Sequence, residues 1–147
     1  MLIVATFVNA IIMKKRSKVH IEKDPSLRDG YEKLFKGIIT WGNLPWIVMG
    51  AGILFGGVPS MDYYFRPQDG NPFVIAVFIS VFFLWVLGTY WLFLKSGAEF
   101  LIKHPGLFNH NFSSPMTLKL FWILCLAGGI AGVTMMFLMD TQMPNFR

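Results

Sequence analysis

The hydrophobic pattern dominates this chain. Residues 37–57, 72–94 and 115–139 each form a long apolar run, and residues 1–13 form a shorter one. About 20 predominantly apolar residues cross a hydrocarbon core, so the three long runs predict transmembrane helices. Their one internal charge is Lys119, a turn from an end, where its ammonium reaches the headgroups. Thirteen helical residues make only about 20 Å, short of a core of about 30 Å. The snorkelling stems of Lys14, Lys15 and Arg16 lengthen the first run and predict a span over residues 1–16. A cleaved signal peptide fits it less well, because there the basic region precedes the apolar run and here it follows. The expectation is an all-α, polytopic membrane protein: one helical-bundle domain over residues 1–147, with four transmembrane helices (about 1–16, 37–57, 72–94 and 115–139).

Charge adds an orientation. The loop 14–36 holds eight of the thirteen Lys and Arg residues, and Lys95, Lys103 and Lys119 bring one side to eleven. The other side has Arg66 and Arg147 against Asp62, Asp69 and Asp140. The positive-inside rule then makes both basic loops cytoplasmic and puts both termini outside, which requires an even number of spans. The net charge of +5 is thus read as a topology signal rather than a nucleic-acid footprint, with attraction to anionic headgroups as a by-product. Composition agrees: 54% of residues are hydrophobic and 14% charged, against roughly 25% charged in soluble domains. The location expected is a membrane, multi-pass, the plasma (inner) membrane if the cell is bacterial.

Three helix starts share a capping residue followed by proline: Asp24-Pro25, Asn71-Pro72 and Ser114-Pro115. The capping oxygen satisfies a free N–H, and proline has none to lose there. The first start predicts a mostly polar cytoplasmic helix leading into the second span, with bends at Gly30 and Gly37. The segment "KSGAEFLIKHPGLFNHNFSSP" spaces Lys95, Glu99 and Lys103 for i, i+4 pairing. Its many apolar residues predict that it lies on the membrane or packs against the neighbouring loop.

Two spans carry a small-residue face. On a helical wheel, Gly42, Asn43, Pro45, Gly50, Gly52, Gly56 and Gly57 share one half of the second span. Cys125, Gly128, Gly132 and Met139 line one side of the fourth. In lipid, helices associate by close backbone approach, which small residues permit. Gly50, Gly52, Gly56, Gly128 and Gly132 are therefore the expected helix-packing positions. Pro45 removes a ladder hydrogen bond and predicts a bend. Asn43, an amide inside a span, is read first as an interhelical hydrogen bond with Asn9 as partner, and second as a ligand contact.

Few residues of the chain form a recognisable chemical motif. No histidine lies inside a span to ligate a haem, no acidic residue lies well inside one for proton-coupled export, and a single cysteine, Cys125, forbids dithiol chemistry. No phosphate-binding loop or metalloprotease motif appears, and no cofactor is implied. The one positive cluster is His20, His104 and His110, all on the basic side. His104 and His110 are spaced across a turn such that both could face one zinc or iron. The plainer reading makes His104 a helix-ending residue before Pro105 and His110 a loop residue.

The leading expectation is a non-enzymatic membrane protein whose partners are the bilayer and either further copies of itself or other membrane subunits, with no nucleic acid. The alternative is a small transporter or lipid- or quinone-handling protein built on the Asn43/Pro45 bend. A third is a membrane enzyme using His20, Glu99, His104 and His110.

Overall fold

The structure is a computed structural model that describes residues 2–55, 57–106 and 112–138, with side chains from Phe7 onward. Among the described residues it is all-helical, without strands. Six α-helices follow in order: α1 (Leu2–Lys23), α2 (Arg28–Gly42), α3 (Leu44–Leu54), α4 (Pro72–Leu94), α5 (Gly97–Lys103) and α6 (Pro115–Leu138). Among the described residues, three stretches are long and apolar enough to cross a membrane: Pro25–Leu54, Pro72–Leu94 and Pro115–Leu138. At 23 and 24 residues, α4 and α6 are each about 35 Å long, enough for a hydrocarbon core. α1 is a continuous helix of 22 residues whose second half is charged, so its average hydropathy falls below that of the three spans.

The proline-marked starts form as their chemistry dictates. Asp24 accepts from the Ser26 N–H at 3.0 Å, at the head of a short 3₁₀ turn, Pro25–Leu27. Asn71 accepts from the Phe73 N–H at 2.9 Å and also donates to the Gly57 carbonyl. Ser114 accepts from the Thr117 N–H at 3.2 Å.

Two sequence expectations are corrected. Gly30 and Gly37 lie within the unbroken helix α2. A glycine lowers helix propensity by about 1 kcal/mol but keeps its N–H, so neighbouring residues carry the helix through it. And Lys95, Glu99 and Lys103 do not share one helix, because Ser96 adopts a left-handed conformation (φ 53°) that separates α4 from α5. Glu99 instead reaches across to Lys119 of α6, Oε1 to Nζ 3.1 Å.

Packing divides the molecule into two ends joined by open spans. α1 and α2 fold back on each other about the Pro25–Leu27 turn, and α3 packs antiparallel to α4. At the end away from the basic loops, Val58, Tyr64, Val74 and Val77 form a core, flanked by Met49 and Phe73. Tyr64 donates to the Met49 carbonyl at 2.6 Å, and burial pushes its phenol up from its ordinary pKa. At the basic end, Leu92, Ala98 and Leu118 form a second core where α4, α5 and α6 meet.

Candidate functional site

Three places carry the residues singled out from sequence: the α2/α3 junction, the glycine faces, and the seam where loop 104–106 meets the α1–α2 hairpin.

At the α2/α3 junction the helix is interrupted at Asn43, next to Pro45. Proline at 45 takes the usual donor away from the Trp41 carbonyl, and the Asn43 N–H points there instead. The Asn43 side chain donates through Nδ2 to the Ile39 carbonyl at 2.7 Å. The ladder restarts with the Ile47 N–H on the Asn43 carbonyl at 2.9 Å. The interruption is thus almost entirely satisfied by its own strand of chain. One atom is not: Oδ1 of Asn43 is buried and has no hydrogen-bond partner among the described residues. Asn9 is exposed rather than enclosed with it, and Pro45 is buried.

The glycines fall into two groups. A Cβ on Gly52 would overlap the Tyr64 hydroxyl and press on Phe73, so Gly52 is in intramolecular contact. Gly50, Gly128 and Gly132 meet nothing within 4 Å. Gly56 lies outside the described residues. Within the chain, α4 and α6 are joined by two other glycines that form a reciprocal pair. A Cβ on Gly88 of α4 would come within 2.8 Å of the Trp122 ring of α6. A Cβ on Gly129 of α6 would come within 2.6 Å of the Trp85 ring of α4. Trp122 also donates from Nε1 to Thr89 Oγ1 at 2.9 Å. Each ring covers a glycine of the other helix, and the separations differ (three residues from Trp85 to Gly88, seven from Trp122 to Gly129), so no spacing along the chain marks this contact. Beside it, Ile75, Phe78, Ile79, Phe82, Val133 and Phe137 line an apolar groove of about 330 Å³ with almost no polar surface.

The seam at the basic end holds the described histidines. His104, 5% exposed, donates from Nδ1 to the Phe100 carbonyl at 2.7 Å. A carbonyl only accepts, so the neutral ring carries its proton on Nδ1 and keeps its lone pair on Nε2. That Nε2 edge lies over Gly30, where a Cβ would overlap it. Tyr31 and Phe100 enclose the ring at centroid distances of 4.9 and 4.3 Å. Tyr31, fully buried, donates to the Pro105 carbonyl at 2.6 Å. His20 lies against Gly106, where a Cβ would sit 3.1 Å from its Nε2. Gly106 takes a positive φ of 83°, which suits glycine and turns the chain at this contact. The apolar loop therefore packs on the neighbouring hairpin. His110 lies outside the described residues. Among the described residues no three His, Cys, Asp or Glu side chains come together as a metal set.

Glu99 sits at the edge of this end. Its own backbone N–H, and then the Lys119 ammonium, hold its carboxyl below the ordinary carboxylate value. Among the described residues, none of these arrangements pairs a nucleophile with a base. Comparisons with family models, curated proteins and solved structures return no match.

Proposed function

We propose that the chain is a four-span membrane protein, both termini outside, whose role is helix–helix association: it assembles with itself or within a larger membrane complex. The observation that carries this reading is α6. No residue in its most apolar eighteen-residue window is buried within the chain. Cys125, Gly128 and Gly132 fall on one face of it, and both glycines have open space in front of them. Contacts between helices in lipid come from close backbone approach, and this face is shaped for it and unused by the chain's own fold. A fourth span is supported by α1, which packs antiparallel along α2 and touches α3. That course lays its apolar first half beside the second span.

Cys125, the single cysteine, provides the test. Mild oxidation in native membranes is expected to give a covalent dimer through Cys125, or a particle larger than the 16.7 kDa chain in mild detergent. Gly128→Leu with Gly132→Leu should abolish both. A strictly monomeric particle without crosslinks overturns the proposal.

A second reading rests on the unpartnered Oδ1 of Asn43. A buried acceptor without a donor is costly in an apolar surround, and a solute bearing an N–H or O–H would satisfy it. This is the transporter or lipid-handling reading. It requires that purified protein in liposomes move a solute or lipid and that Asn43→Leu stop it; liposomes that move nothing remove it.

A further inference from the structure

Charges at the basic end are sorted by depth. Residues 14–36 carry eight basic and four acidic side chains. Because α1 and α2 double back about Pro25–Leu27, positions equally far from that turn stand at the same level. Lys14, Lys15 and Arg16 are thus level with Lys36, about 15 Å from the tip. Glu22, Asp24, Asp29 and Glu32, all four of the hairpin's acids, lie in the distal part. Lys95 ends α4 at the boundary where that span emerges. The level next to the spans therefore bears Lys14, Lys15, Arg16, Lys18, Lys36 and Lys95, all exposed.

This belt is not neutralised by the protein. Among the described residues, only Lys18 of the six has an acidic partner, Glu22 at 3.9 Å, with both side chains mostly exposed. The nearby acid, Glu99, is taken by Lys119. Like charges crowded at one level repel, and on the proposed four-span topology that level is the headgroup level. A soluble polyanion approaching from water would meet the acidic tip first.

We propose that the belt binds anionic phospholipid headgroups in preference to zwitterionic ones. The distal tip, where acids and bases alternate, does not contribute. This holds whether or not the chain self-associates, since it depends on the hairpin and not on the α6 face.

The test uses the full chain reconstituted in vesicles of equimolar phosphatidylglycerol and phosphatidylcholine, with retained lipids counted by native mass spectrometry. The wild type is expected to retain phosphatidylglycerol over phosphatidylcholine at a ratio of about five to one, the factor one effective surface lysine supplies. Replacing Lys14, Lys15 and Lys36 with Gln should return retention to the bulk ratio. Replacing Lys23, Arg28 and Lys33 with Gln removes the same charge from the tip and should leave the enrichment intact. Circular dichroism of both variants checks that exposed substitutions leave the helices in place. Bulk-ratio retention by the wild type, or equal loss in both variants, overturns the proposal. So does undiminished enrichment in the belt variant.

Discussion

At the basic end, Ser17, Tyr31 and Ala98 are fully enclosed, whereas α6 leaves Phe121, Leu124, Ile130 and Met135 exposed along its length. The more polar region is the more tightly packed one. The difference follows from the solvent each region meets. Outside the spans, water drives apolar surface together, so the loop carrying Phe100 and His104 is pulled onto α1 and α2. Within the spans, lipid tails are as apolar as the side chains and there is little to gain from burial. The spans meet where shape allows close approach, as where α3 packs on α4 and where Trp122 covers Gly88 and Trp85 covers Gly129. The remaining faces stay open to lipid or to another helix.

Three substitutions sharpen this contrast. Gly30→Ala forces a methyl into the enclosed His104 ring, whose Nδ1 is tied to the Phe100 carbonyl. Overpacking of that kind costs about 1–3 kcal/mol, and the boxed-in ring places it at the upper end. Even after the gain in helix propensity of about 1 kcal/mol, denaturant titration in detergent should show a net loss of about 2 kcal/mol. An unchanged midpoint would mean the seam is as slack as the spans.

Gly129→Ala and Gly128→Ala compare two adjacent positions within α6. The first meets the half-buried Trp85 edge, which has lipid to swing into, so the expected loss is about 1 kcal/mol. The second meets nothing, so only the helix-propensity gain of at most about 1 kcal/mol is left and no loss of the chain's own stability is expected. If Gly128→Ala weakens crosslinking through Cys125 without lowering that stability, the open face belongs to a partner.

The smallest effect is expected from Glu99. Its carboxyl is held below its ordinary value of 4.5. A lowered folded-state pKa gives stabilisation that is present above the ordinary value and lost as pH falls through the lowered one. Wild type should therefore exceed Glu99→Gln slightly at pH 6, with the gap closing as pH drops below about 4.5. The side chain is nearly half exposed, so solvent screening keeps the gap small. A gap that persists at pH 2 would show that shape, not charge, holds this edge.

Some of this was legible from residues alone and some was not. Of the four expected spans, the three long apolar runs fall on helices long and apolar enough to cross a membrane, because run length against bilayer thickness is a one-dimensional comparison; α1 is not among those three. Asp24, Asn71 and Ser114 marked helix starts because capping is settled within three residues. Pro45 announced an interruption for the same local reason, although the Asn43 side chain bonds back to the Ile39 carbonyl of its own helix rather than across to Asn9.

The sequence by itself determined which stretches are long and apolar enough to cross a membrane, where helices begin and where charge gathers, since each depends on neighbours along the chain. Tertiary structure alone decided which glycines are occupied. Gly52, Gly88 and Gly129 lie under side chains from other parts of the chain, while Gly50, Gly128 and Gly132 do not. It alone put His104 beneath Gly30, 74 residues away, and drew Glu99 to Lys119 once Ser96 had turned the chain. A wheel shows which residues share a face, but the aromatic ring that fills a gap comes from a distant helix, and its arrival is fixed only when the helices pack.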